Sequence, residues 1–319
     1  TRVVLRIARE DTPQPFEVVC FTPTPDSTRG EARAIAALAR RHGWDDLVLA
    51  GGVESMGHIS FADAAAVMGE YGWAYSPELL EKYNLVNQGI SAEMIADKWD
   101  ISRTELDELG VRSHARALQA TEEGRFEREM VPMTVGDETY MTDQGIRPGT
   151  SVETLAGLKP AFKEDGKITA GNASQVSDGA AAVMLMSREK ADELGLKARA
   201  RIVDTTTVGV DPVIMLTGPI PATRKILERN SMGIGDVDLV EINEAFASVV
   251  LAWEKELKPD MDRVNVNGGA IAIGHPLGST GARLMTSLLH EMERDDKEMG
   301  LVTMCCGGGV GTATLIERV

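Results

Sequence analysis

Three short runs in the last third of the chain hold the residue types that carry carbonyl chemistry. His275 stands in Gly268-Gly269-Ala270-Ile271-Ala272-Ile273-Gly274-His275-Pro276-Leu277-Gly278, where small neighbours let a substrate reach the backbone and Pro276 fixes the direction of the chain. Cys305 ends an apolar run and precedes Cys306-Gly307-Gly308-Gly309, whose unshielded amides suit an oxyanion. Asn243 opens Asn243-Glu244-Ala245-Phe246 after a buried apolar stretch. An imidazole, a thiol and fixed hydrogen-bond donors together suit proton transfer beside a polarised carbonyl. Each also has a plainer reading: a core histidine, an inert buried thiol, and a helix cap.

Taken together, the runs resemble the thiolase family, enzymes that make or break a carbon–carbon bond next to a coenzyme A thioester. The His275 run resembles the family's Asn-Gly-Gly-Ala-Ile-Ala-x-Gly-His-Pro-x-Gly signature, with Asn267 as its first residue. The pattern Cys-x-Gly-Gly selects Cys305 over Cys306. Further blocks that resemble the family are Ala50-Gly51-Gly52-Val53-Glu54-Ser55-Met56, Thr169–Ser174 with Ser177–Ala182, and Val208–Pro212 with Gly218-Pro219. The likeness runs from about residue 47 to 319.

The resemblance implies roles. Cys305 would be the acid/base at the α-carbon, and the Gly307 amide would face the acyl oxyanion. His275 would activate a nucleophilic cysteine and, with a water held by Asn243, polarise the second thioester. Glu244 would support geometry. Gly274, Phe246, Asn87 and Asp204 would lie along the substrate. Asn87-Gln88-Gly89 replaces a His-Met-Gly of short-chain members, and Asp204 stands about where some members place a pantetheine-contacting serine. No metal or redox cofactor is implied, since the coenzyme A thioester is the substrate.

One expected part is missing. The family's Asn-x-x-Cys-x-Ser-Gly loop falls by spacing near Asp26-Ser27-Thr28, where there is no cysteine; Cys20 lies six residues earlier, in a strand-like run. Asp26–Ala32 and Gly43–Leu47 are instead weakly similar to SanA/ElyC-like envelope proteins. Residues 1–47 therefore read as a foreign segment, joined to the rest inside an equivalent strand.

The bulk numbers agree with a globular protein: 319 residues, 43% hydrophobic and 26% charged. A net charge of −16 argues against nucleic acid or anionic lipid as partner. Three cysteines, two of them adjacent, make no disulfide framework and suit a reducing cytoplasm. No apolar run is long enough for a membrane-spanning helix, and no signal-peptide pattern opens the chain. The chain starts without Met, as a processed or truncated product, or one taken from a larger reading frame, would.

The elements must position these residues. Residues 1–50 read as strand, strand, helix (Ala32–His42, behind a Thr28–Glu31 capping box) and a buried strand Asp46–Ala50. Residues 53–165 read as a helical insertion, with helices near 61–69, 77–83, 91–98 and 103–122 and few strands. From 166 onward strands and helices alternate, which argues a layered α/β fold with a mixed sheet. The resemblance implies the five-layered α-β-α-β-α arrangement of two similar halves. Here these would be 48–187 and 188–319, the first incomplete or replaced. It also implies acyl-CoA substrates and a homodimer or homotetramer. The expected activity is Claisen condensation or thiolytic cleavage of 3-oxoacyl-CoA; the rival is an acyl-CoA-binding remnant without a nucleophile.

Overall fold

The computed structural model describes residues 3–5, 18–20, 47–58, 61–72 and 75–319. Strands β1 (Val3–Leu5) and β2 (Val18–Cys20) pair antiparallel, with Val3 opposite Cys20. The helix expected over Ala32–His42 lies outside the described residues. Strand β3 (Leu47–Ser55) runs through Gly51-Gly52 rather than stopping there. A Cβ on Gly52 would stand 1.7 Å from the Gly278 carbonyl oxygen, so glycine is what lets the loop after His275 lie against this strand.

The helical region follows the sequence closely. Helix α1 (Phe61–Tyr71) is followed by α2 (Pro77–Lys82), which starts on a Ser76 cap with proline in its first turn. Asn87 caps α3 (Gln88–Lys98). Helix α4 (Arg103–Glu122) begins with a reciprocal capping box between Ser102 and Glu105. The hairpin of β4 (Met133–Val135) and β5 (Glu138–Tyr140) turns on Gly136, whose φ is 62°. It was not expected, because three exposed residues per strand leave no apolar alternation to read. Short helix α5 (Val152–Ala156) was also not anticipated.

Next come β6 (Asp178–Met186), α6 (Arg188–Glu193), β7 (Ala200–Gly209), α7 (Pro219–Arg229), β8 (Leu239–Ile242) and α8 (Ala247–Leu257). The chain ends with α9 (Ala270–Ile273), α10 (Thr280–Arg294), β9 (Met299–Cys306) and β10 (Val310–Arg318).

Four strands form a mixed sheet in the order β7-β10-β9-β8. Strand β10 is antiparallel to both neighbours, and β8 runs parallel to β9 with Ile242 beside Thr303. Alternating side chains go to two faces. On one, Val240, Ile242, Leu301 and Leu315 join Ile226 and Trp253 in the main core. On the other, Leu239, Val302 and Ile316 meet Leu284, Leu288 and Met292 of α10. Helix α10 also packs against β6 and β3, so it is a shared layer between two sheets.

The second sheet corrects the expectation of a buried strand at 46–50. Strand β3 pairs only with β6 among the described residues and alternates between half-buried and exposed positions. Leu49 and Val53 are 66% and 71% exposed because one face of this two-stranded sheet carries no covering layer among those residues.

Candidate active site

His275 follows Gly274, which has a φ of 86°. A Cβ there would fall 2.0 Å from the Ser177 hydroxyl, so glycine is required for both shape and space. The His275 N–H donates to the Gln175 carbonyl at 3.2 Å. The Gln175 side-chain amide in turn donates to the carbonyls of Gly145, Ile271 and Ala272 at 2.8–2.9 Å. The histidine loop is thus clamped before the ring is considered.

The imidazole has two close partners. Its Nδ1 lies 2.7 Å from the Thr280 hydroxyl, and its Nε2 lies 3.2 Å from the Asn243 side-chain nitrogen. Burial, with the Arg283 charge as a second cause, pushes its pKa down to about 4. The ring is therefore neutral at physiological pH and has a lone pair to offer.

Asn243 is fully buried, and its N–H donates to the Thr303 carbonyl at 3.1 Å, extending the β8–β9 ladder by one bond. It does not cap the next helix. That helix starts at Ala247, with Phe246 at the cap position, and the Ala247 N–H is satisfied by the Asn172 carbonyl at 2.9 Å. The Asn243 carboxamide instead faces His275, and its Oδ1 is buried with no protein donor. A buried acceptor in that state suits a water or a ligand donor.

Cys305 lies one residue from the end of β9, opposite Gly311, and is buried. Burial first, and neighbouring Cys306 second, push its thiol up to about 12, so at rest it carries its proton. Because β8 and β9 are parallel and in register at Ile242 and Thr303, their carboxyl ends deliver Asn243 and Cys305 to the same edge of the sheet.

Gly307 begins the turn that joins β9 to β10, where Gly308 and Gly309 take φ values of 75° and 80°. The Val210 N–H donates to the Gly309 carbonyl at 2.7 Å, which explains why the 208–212 block accompanies the glycine run. A Cβ on Gly307 would meet the Gln88 amide nitrogen at 3.2 Å. Asn87 itself is exposed and caps α3 through its bond to the Gly89 N–H at 2.8 Å, so its neighbour Gln88 is the residue that reaches the glycine turn. The Phe162 ring covers Gly89 and stacks edge-on against buried Phe246, with centroids 5.9 Å apart.

Asp204 is not brought to this group. Arg229, Asn230 and the Thr205 N–H engage its carboxylate, and the Arg229 guanidinium holds it below the usual carboxylate range. Val208 is the β7 residue opposite Gly311, and Asp204 lies four residues back, roughly 13 Å along the strand.

Glu244 is structural. Its carboxylate accepts from Ser113 Oγ at 2.6 Å, Asn265 Nδ2 at 3.0 Å and the Ile271 N–H at 3.2 Å, tying the histidine loop to α4. Thr280 and Gln175 are partners of His275 that the sequence reading missed. The signal for Thr280 was a hydroxyl one turn past the histidine at a helix start. The Asp26–Thr28 position, where a nucleophile would stand, lies outside the described residues; Cys20 ends β2.

The family model described as "Thiolase, N-terminal domain" matches residues 30–189, and "Thiolase, C-terminal domain" matches residues 196–318. The chain belongs to the thiolase family. The first match begins at residue 30, ahead of residue 47 where the motifs alone begin. An acetyl-CoA acetyltransferase of Syntrophomonas wolfei is 44% identical, over 96% of this chain and 81% of its own length. A steroid 3-ketoacyl-CoA thiolase of Mycobacterium tuberculosis is 45% identical over 91% of this chain and 72% of its own. The crystal structure of the Bacillus anthracis acetyl-CoA acetyltransferase superposes with a TM-score of 0.78 at 40% identity, covering 91% of this chain and 76% of that one. The fold is the α/β thiolase fold, with sequence for both of its halves, and by family the protein is a thiolase-type acyltransferase. Among the described residues no helix is long and apolar enough to cross a membrane.

Proposed function

We propose that this thiolase joins or cleaves acyl-CoA thioesters at the carbon beside the carbonyl, with His275, Asn243, Cys305 and the Gly307 amide as its working groups. The observation that carries the reading is the neutral His275 imidazole facing the Asn243 carboxamide beside a buried, partnerless acceptor. A neutral histidine can accept a proton, and a fixed carboxamide can hold a water against the thioester oxygen.

Cys305, protonated at rest, suits the acid half of the chemistry. In cleavage the acyl group passes to a nucleophilic thiol, for which Cys20 is the candidate, as the carbon–carbon bond breaks. Cys305 gives its proton to the α-carbon of the departing acyl-CoA carbanion and becomes a thiolate. In condensation that thiol gives its proton to His275 and takes the acyl group, and the released coenzyme A thiolate takes the Cys305 proton. The Cys305 thiolate then takes the α-proton of the second acyl-CoA, whose carbanion attacks the acyl group and frees the first thiol to recover its proton from His275. The Gly307 N–H faces the acyl oxyanion, and Gln88 stands beside that glycine turn. Coenzyme A enters as part of the substrate, with no metal or redox group required. A cytoplasmic homodimer or homotetramer is the assembly we assign, on family grounds.

A second reading is an acyl-CoA-binding scaffold without turnover. Residues 21–46 contain no cysteine, so no thiol stands where the family's nucleophile would be acylated. The origin we infer for residues 1–47 is a joined foreign segment. The short likeness to SanA/ElyC-like envelope proteins supports this, and the family match from residue 30 weighs against it.

Intact-protein mass after incubation with acetoacetyl-CoA, followed by peptide mapping, separates the readings. An acyl group on Cys20 marks a rebuilt nucleophile site and a working enzyme. No adduct leaves the scaffold reading, in which His275 and Cys305 still exchange the methyl protons of acetyl-CoA slowly. Exchange no faster than in Cys305→Ala would remove Cys305 from the chemistry.

A further inference from the structure

Thr280 opens α10, and its hydroxyl touches two groups at once. It lies 2.7 Å from His275 Nδ1 and 2.8 Å from the Pro276 carbonyl oxygen. A hydroxyl has one proton to give, and a carbonyl can only accept. If that proton turned to the ring, two oxygen atoms would face each other across 2.8 Å with no hydrogen between them. The ring proton would then sit on Nε2, aimed at the hydrogens of the Asn243 amide nitrogen 3.2 Å away. Both conflicts vanish when the hydroxyl donates to Pro276 and Nδ1–H donates to the hydroxyl. Nε2 then keeps its lone pair and accepts from Asn243.

We propose that Thr280 is a positioning residue that holds His275 in the Nδ1–H tautomer and so presents an unprotonated Nε2 to the reacting groups. The tautomer follows from the hydrogen-bond geometry alone. Its use in catalysis rests on the acyl-transfer reading above. The arrangement is sturdy because the Pro276 carbonyl also receives the Ser279 and Thr280 N–H groups at 3.0 Å, which fixes the first turn of α10 under the ring. Serine would preserve the relay, whereas valine keeps the shape of threonine and removes the acceptor.

The test uses the full chain labelled with 15N-histidine. The His275 signal is identified by its loss in His275→Gln, since the chain has five histidines. We expect Nδ1 protonated and Nε2 unprotonated in the parent protein and in Thr280→Ser, and a mixture containing Nε2–H in Thr280→Val. In parallel, acetyl-CoA methyl-proton exchange should fall roughly 10- to 100-fold in Thr280→Val with little change in KM, and recover in Thr280→Ser. An Nε2–H parent, or a valine variant with the parent tautomer, overturns the proposal. Absence of exchange in the parent, with the expected tautomer, would overturn the acyl-transfer reading and leave the tautomer assignment standing.

Discussion

The four-stranded sheet and the β3–β6 sheet are built from similar sequences and have different surroundings. Strands β8 and β9 are mostly apolar, with Glu241 and Thr303 as buried exceptions, and both faces are covered: residues of α7 and α8 join the core on one side and α10 packs on the other. Strands β3 and β6 are also rich in Val, Leu, Ala and Met, yet only the α10 side is covered among the described residues. Leu49, Val53 and Met184 are exposed on the other. Apolar content therefore does not decide burial. The partner layer does, and the site residues cluster where that layer is complete.

The largest test of that contrast is Trp253→Ala. The indole is fully buried and its N–H donates to the Thr223 hydroxyl at 3.1 Å. Truncation should cost about 3–5 kcal/mol in urea unfolding. A loss below about 1 kcal/mol would mean that the covered sheet is not the packed one.

The second test uses pH. Burial pushes the Glu241 carboxyl up to about 8 and that of Glu129 up to about 7. Arg283 opposes both shifts, but its nearest approach to Glu241 is 3.7 Å and both of its terminal nitrogens lack hydrogen-bond partners, so desolvation wins. A carboxyl with a raised folded pKa stabilises while neutral and loses that contribution as pH rises through the folded value. His275 has the opposite sign: its folded pKa is near 4, so its contribution grows up to about pH 6.5 and is constant above it. Between pH 6.5 and 8 the carboxyls alone still titrate of these three, and stability should fall by about 2 kcal/mol. Glu241→Gln should flatten that slope in unfolding midpoints measured across the window; an unchanged slope would refute the assignment.

The smallest effect belongs to the open sheet. Leu49→Thr, at a 66% exposed position, should move the unfolding free energy by no more than about 0.5 kcal/mol. It should also reduce self-association in light scattering, since among the described residues nothing covers this apolar face. A large loss of stability would show that a layer covers Leu49 after all.

Much of this fold was legible because its signals are local. The helices near 77–83 and over 103–122 and the alternation after residue 166 read directly as elements. At the site, Cys305, Gly307, Asn243 and His275 were named through the resemblance of their motifs to the thiolase family, and the structure brings the Asn243 and His275 side chains together. Thr280 and Gln175 were not found, because a hydroxyl or an amide gains its meaning only from which carbonyls the fold brings near it. Asp204 failed in the reverse direction: its position along the chain suggested a ligand contact, while Arg229, distant in sequence, had already taken the carboxylate. That no described residue covers one face of β3 was also invisible, since an apolar run carries no record of what covers it.

The clamp around Gln175 bears on how such a protein could be recombined. Gln175 lies within the stretch matched by the N-terminal model, yet its amide gathers the Ile271 and Ala272 carbonyls from the stretch matched by the C-terminal one. Ser113 grips Glu244, and the Ala247 N–H bonds to the Asn172 carbonyl, across the same divide. A graft that swapped residues 196–318 for those of a relative would exchange one side of each fastening and keep the other. Interchangeable parts would therefore have to be cut along this seam of paired contacts, with 113, 172 and 175 travelling alongside the histidine loop, and not at the gap between the two matched stretches.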